Sequence, residues 1–211
     1  MLLYYSYMTF DLQRWQQRLG KPVIFTLCLL PFAVLVLNLL TDQLGANPIE
    51  AFTRKSGEWG LRFLLITLSV TPLKQLIKKS WPMRYRRMLG LFAFFYVCIH
   101  LSSYIVLDQF FDWSEIWADI LKRPFITIGM TAFVLLIPLA VTSNKHMIRR
   151  LGRRWQHLHR LIYPIAICAV LHFFWLVKAD VYWPTVYATI LFFLLTYRLV
   201  KHCKLPSKPK L

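Results

Sequence analysis

Residues 155–175 read WQHLHRLIYPIAICAVLHFFW. From Leu161 to Val177 no lysine, arginine, aspartate or glutamate interrupts the run. It approaches the roughly 20 apolar residues a helix needs to cross about 30 Å of hydrocarbon. Only helices and closed barrels satisfy their backbone groups in that medium, and alternating ten-residue strand patterns are absent here, so the stretch predicts a transmembrane helix. It also holds three histidines, His157, His159 and His172.

The rest of the chain has the same character. Of 211 residues, 57% are hydrophobic and 16% aromatic, too many for a domain that must present a polar surface to water. Six spans are predicted: Pro22–Leu40, Leu61–Ile77, Leu89–Leu107, Pro124–Val141, Leu161–Val177 and Pro184–Val200. The second is the weakest, since Thr67, Ser69, Thr71 and Pro72 make its later half polar. Pro31, Pro138 and Pro164 fall inside other spans, where they predict kinks. The expected fold is an all-α integral membrane bundle. A single domain over residues 22–200 follows a segment at 1–21 and precedes a basic tail at 201–211. The first ten residues are apolar but too short to span, and no convincing signal peptide is seen.

A net charge of +17 raises nucleic acid as a partner, but the positions of the charges exclude it and point to the lipid bilayer. Basic residues alternate from loop to loop. Twenty of the 26 lie before span 1, between spans 2 and 3, between spans 4 and 5, and after span 6, when Lys74 and Arg198, near the cytoplasmic ends of spans 2 and 6, are counted with the adjoining loops. By the positive-inside rule both termini face the cytoplasm. Eight of the nine acidic residues fall on the other side, which supports the count of six. Most of the basic clusters are read as topology signals and contacts with anionic head groups, and a minority could bind a phosphate or a propionate. The four cysteines form neither C-x-x-C nor C-x-x-C-H and are read as packing residues.

Ionisable side chains inside a bilayer are costly and usually face the bundle interior. His146 and His202 sit in basic clusters and His157 near the interface, which leaves His100, His159 and His172. Spans 3 and 5 both leave the cytoplasmic side and run outward. At 1.5 Å per residue, His100 lies about 20 Å beyond Arg87 and His172 about 20 Å beyond His159. The two therefore share a level, where they could supply both axial ligands of one b-type haem. His159 marks an inner level. Thirteen residues of ideal helix leave His172 about 140° from the face of His159, so a kink at Pro164 or an irregular helix start is needed between them. Fourteen residues before His100, nearly in phase with it, stands Arg86 rather than a histidine. Arginine offers no lone pair to a metal but can pair a haem propionate or a flavin phosphate. One or two haems fit this pattern.

No G-x-G-x-x-G or G-x-x-x-x-G-K-[ST] occurs, so the chain is not a self-contained NAD(P)H oxidoreductase. No paired carboxylates or nucleophile triad lie in the spans, and no centre for substrate chemistry is recognised. Electrons would come from a quinol, a separate reductase or a bound flavin, and leave to a partner.

One histidine span followed by a span with H-x12-H resembles the ferric reductase-like transmembrane superfamily. Within it, LGANP (44–48), TPL (71–73), RRMLGL (86–91), HLSSY (100–104), RPFITIG (123–129), TS (142–143), LGRRWQHLHRLIY (151–163) and LHFFW (171–175) resemble the MsrQ (YedZ) family, haem-binding membrane subunits of the periplasmic methionine sulfoxide reductase system. The resemblance implies a bacterial inner-membrane electron carrier. Its donor would be the quinone pool or a flavin reductase, and its acceptor a periplasmic molybdopterin reductase subunit (MsrP-like). It also implies haem b ligated by His100, His159 and His172, an FMN whose residues are not assigned, and a cofactor role for Arg86. Two alternatives stand beside it: the membrane module of a ferric-chelate reductase, and a small transporter or scaffold. The latter would call for acidic or glycine-interrupted spans, which are not found.

Overall fold

The computed structural model describes the backbone of residues 2–177 and 180–204 and the side chains of residues 20–177 and 180–201. Within these limits every regular element is helical. The expected tail at 201–211, the charges of the first nineteen residues, and His202 lie largely or wholly outside the described side chains. The chain divides into two units, Met1–Pro48 and Ile49–Leu211.

The first unit is one long helix, α1 (Leu2–Leu40), which continues through Pro22 and Pro31. The backbone is thus helical without a break from the expected N-terminal segment into the first predicted span. At the end of α1 the hydroxyl and amide of Thr41 both bond to the carbonyl of Leu37 (2.8 and 2.9 Å), and Asp42 turns the chain in a left-handed conformation (φ 55°).

The second unit opens with α2 (Pro48–Leu76), where Pro48 stands at the first helical position and Glu50 complements the helix dipole. α3 (Arg86–Ser103) follows a short 3-10 turn and runs into a π-helical turn at Tyr104–Asp108. α2 and α3 meet through stacked rings: Phe63 lies 5.2 Å from Tyr96 and 5.8 Å from Phe92, and Tyr96 is fully buried. The ten-residue α4 (Trp113–Lys122) is capped by Asp112, whose carboxylate accepts from the amides of Ser114 and Glu115. Its buried Asp119 accepts from the Tyr104 hydroxyl (3.0 Å) and pairs with Arg123 (3.0 Å), which ties α4 to the π turn and to the start of the next helix.

That helix, α5 (Pro124–Val141), packs along α8 (Ile162–Leu176), and α9 (Tyr182–Lys204) packs on α8. α3 and α4 both contact α5. Between α5 and α8 come two short helices, α6 (Lys145–Leu151) and α7 (Arg153–Leu158), separated at Gly152 (φ 50°), and then a 3-10 turn at His159–Leu161. Pro164 is the third residue of α8, where a backbone N–H has no intrahelical partner to lose. The irregularity expected near Pro164 is therefore an interrupted start rather than a bend in mid-helix. Pro138 stays inside a continuous α5.

Among the described residues, five stretches are long and apolar enough to cross a membrane: Gly20–Leu40, Arg86–Asp108, Pro124–Val141, Arg153–Leu176 and Tyr182–Lys201. They coincide with five of the six predicted spans. The remaining one, Leu61–Ile77, falls on α2, whose 29 residues reach about 44 Å and are ample in length. Composition sets it apart. α2 carries Glu50, Arg54, Lys55, Glu58, Arg62 and Lys74, and its apolar centre (Leu61, Phe63, Leu64, Leu65, Leu68, Val70) is buried inside the protein.

Candidate functional site

His100 of α3 and His172 of α8 come together, with ring centroids 6.1 Å apart and planes inclined at 78°. Each ring is oriented by a main-chain carbonyl. Nδ1 of His100 lies 2.7 Å from the Thr53 oxygen of α2, and Nδ1 of His172 lies 2.6 Å from the Phe125 oxygen of α5. A carbonyl can only accept, so both Nδ1 atoms carry the proton and both Nε2 atoms keep their lone pairs. Around His100 the hold is doubled. The Thr53 hydroxyl donates to Ser103 (2.9 Å), whose hydroxyl donates to the carbonyl of His100 (2.8 Å).

An imidazole cannot ordinarily reach a carbonyl already engaged inside a helix, because the side chain four residues on stands in the way. Here both of those residues are glycine. A Cβ on Gly57 would lie 2.9 Å from Nδ1 of His100, and one on Gly129 would lie 2.7 Å from Nδ1 of His172. The absent Cβ is what admits each ring. The three parts repeat: Thr53, Gly57 and His100 correspond to Phe125, Gly129 and His172 at a constant offset of 72 residues. The structure thus shows a local repeat, whose trace in the sequence is the two equal spacings of 43 between glycine and histidine.

His159 stands apart from this pair, at the first position of the 3-10 turn ahead of α8. At about 120° per residue, that turn closes the ideal-helix gap between His159 and His172 from about 140° to about 80°. The Trp155 ring stacks on His159 (centroids 3.9 Å, 27°), and Nε2 lies 3.1 Å from the Thr142 hydroxyl. Thr142 spends its own proton on the Pro138 carbonyl (2.6 Å), so His159 donates from Nε2 and keeps its lone pair on Nδ1, the reverse of the outer pair. Trp155 completes the link through its indole N–H to the Thr142 carbonyl (3.1 Å). Arg86, the first residue of α3, is near enough to act electrostatically on His159 and on Arg198 of α9. His146 and His157 are exposed.

Two neutral imidazoles with free Nε2 atoms can bind one metal ion from opposite sides. With about 1 Å from ring centre to nitrogen and about 2 Å from nitrogen to metal, their centroids would lie about 6 Å apart, as His100 and His172 do. Among the described residues no three His, Cys, Asp or Glu side chains gather into a metal site. A group that brings its other ligands with it, such as the iron of a macrocycle, suits a pair of this kind. The glycine cradles, the carbonyl partners and the separation all fit that group. Sequence reasoning selected the histidines and Arg86 but missed Gly57, Gly129, Thr142, Trp155 and Arg198.

The sequence model described as "Ferric reductase like transmembrane component" matches residues 56–170, more than half of the chain, which places the protein among ferric reductase-like membrane modules. Within that class the chain belongs to the MsrQ family. It is 58% identical to the "Protein-methionine-sulfoxide reductase heme-binding subunit MsrQ" of Rhodospirillum rubrum, over 88% of this chain and 89% of the relative. It is 52% identical to the protein of that name from Herminiimonas arsenicoxydans (90% and 89% covered) and 53% identical to that from Xanthomonas euvesicatoria (76% and 74%). No solved structure matches the chain.

Proposed function

We propose that this chain is the haem-binding, electron-transfer subunit of a periplasmic methionine sulfoxide reductase system. The observation that carries the reading is the His100–His172 pair, two carbonyl-anchored imidazoles at a separation that suits one shared iron. Bound there, haem b supplies a one-electron couple between ferrous and ferric iron. The protein holds the rings: the Thr53 and Phe125 carbonyls fix the tautomer and raise the basicity of each Nε2, and Gly57 and Gly129 give the imidazoles room. His159 and Arg86 mark a second cofactor level toward the cytoplasm, for a second haem or for FMN.

In this reading the helical membrane domain covers residues 22–200, α2 makes the sixth crossing, and both ends of the chain face the cytoplasm of a bacterial inner membrane. Electrons enter from quinol or a cytoplasmic flavin reductase and leave to a periplasmic molybdopterin subunit, which repairs oxidised methionines. The chain itself is the electron-transfer subunit, and no centre for substrate chemistry is recognised in it.

The test is a redox-titrated optical spectrum of the purified full chain, with haem and flavin quantified. A Soret band with low-spin α/β bands on reduction is expected, lost in His172→Ala. Wild-type protein that shows no Soret band after haem supplementation would overturn the proposal.

A further inference from the structure

Arg198 of α9 is the charged side chain that the electron-transfer role leaves unexplained. Its guanidinium is fixed from two directions. Nη2 donates to the Leu68 carbonyl of α2 (2.7 Å), an acceptor left free because Pro72, four residues on, has no N–H to offer it. Cζ lies 5.0 Å from the Tyr163 ring of α8. Nη1, by contrast, is buried with no hydrogen-bond partner among the described residues. A second cation stands within electrostatic reach, since Arg86 acts on both Arg198 and His159. The ion pairs among the described residues are Arg62–Glu58 and Arg123–Asp119, so neither Arg86 nor Arg198 has a carboxylate to balance it.

A buried guanidinium donor left unmade is costly, and a like charge beside it adds to the cost. Both penalties are relieved by one oxyanion, which a planar guanidinium binds through two parallel N–H groups. A neutral ligand would leave the charges uncompensated. The position is also specific, because His159 and Tyr163 place it at the inner cofactor level rather than beside His100 and His172.

We infer that Arg198, with the charge of Arg86 in support, clamps an oxyanion, the carboxylate or phosphate arm of a cofactor or lipid at the His159 end of the bundle. The inference rests on the haem-protein reading for its first arm alone. Three sources share the chemistry: a haem propionate, a flavin phosphate and a lipid head-group phosphate.

The experiment uses the full chain, stripped of cofactor and lipid in maltoside detergent, as wild type, Arg198→Gln and Arg198→Lys. For a propionate, the wild type binds haem b at least tenfold tighter than haem dimethyl ester at one of its equivalents; Arg198→Gln abolishes the preference and Arg198→Lys keeps part of it. For a flavin phosphate, the same contrast appears between FMN and riboflavin. For a lipid, phosphatidylglycerol raises the melting temperature of the wild type and not of Arg198→Gln. The clamp is overturned if the wild type shows none of the three discriminations, or if Arg198→Gln retains those it shows. Should Arg198→Gln fail to fold, the wild-type discriminations together with their reduction in Arg198→Lys decide the matter. Failure of the haem reading looks different: no haem is taken up at all, while the FMN and lipid arms still report on the clamp.

Discussion

Replacing Gly129 by alanine tests the geometry of the imidazole pair most directly. The new Cβ would stand 2.7 Å from Nδ1 of His172 and 2.9 Å from Cε1, whereas ordinary contact begins at 3.4 Å. The ring must therefore retreat by about 0.7 Å, which stretches its 2.6 Å bond to Phe125 toward the roughly 3.2 Å limit of a good hydrogen bond. Overpacking of this kind costs about 1–3 kcal/mol. Where it falls decides the phenotype. Without haem the ring can turn aside, and alanine gains about 1 kcal/mol of helix propensity over glycine, so the melting temperature of the unloaded protein should hardly move. With haem the ring is pinned, and about 1–3 kcal/mol becomes a roughly 5- to 150-fold loss of haem affinity. Haem titration followed at the Soret band, with a midpoint potential on the loaded fraction, measures it. Gly57→Ala should act in the same direction but less strongly, since its Cβ would meet His100 at 2.9 Å. Wild-type affinity together with an unchanged low-spin spectrum in Gly129→Ala would refute the claim that the missing Cβ admits the ring.

Other substitutions probe the surroundings. His146→Ala should leave the haem spectrum intact, because His146 is an exposed residue of α6, whereas His100→Ala should remove the low-spin bands as His172→Ala does. Asp119→Asn should lower the thermal stability by about 1–2 kcal/mol through its bonds to Tyr104 and the half-exposed Arg123, with the haem spectrum retained. The Ser114 hydroxyl and the Glu115 amide hold the Asp112 carboxyl below its ordinary range, so its support of α4 is present above the unfolded value of about 3.9 and is lost as pH falls through the lower folded value. Tryptophan fluorescence from Trp113 should report that fraying, and Asp112→Ala should lack the acid transition. On a cysteine-free background, single cysteines at Ser80 and His146 should label only from the cytoplasmic side and those at Asp112 and Asp180 only from outside; a reversed pattern at any of them would break the six-span topology.

The helices were legible because hydrophobic length and charge alternation act residue by residue. The coincidence of His100 with His172 was legible too, since depth along a helix follows from counting at 1.5 Å per residue. α2 was the least certain span for a physical reason: its centre is buried against protein, so nothing requires it to look like a lipid-facing helix. The partners of the imidazoles were illegible because they are carbonyls, identical at every position, and only the glycines beside them carry a mark in the sequence. Arg198 was read as one more cytoplasmic basic residue. Its meaning depends on Leu68, Pro72 and Tyr163, brought to it by tertiary packing, and spacing along the chain cannot supply that.

The choice of main-chain oxygens to anchor both rings has a consequence for how this protein can vary. A carboxylate or hydroxyl in that role could be deleted by a single missense change; the Thr53 and Phe125 carbonyls cannot, whatever side chains those positions bear. Drift is therefore tolerated where the proton is received and forbidden where the ring must enter. The vulnerability of the site is displaced onto two residues that contribute no atom of a side chain, and mutational scans should find Gly57 and Gly129 less tolerant the larger the side chain introduced.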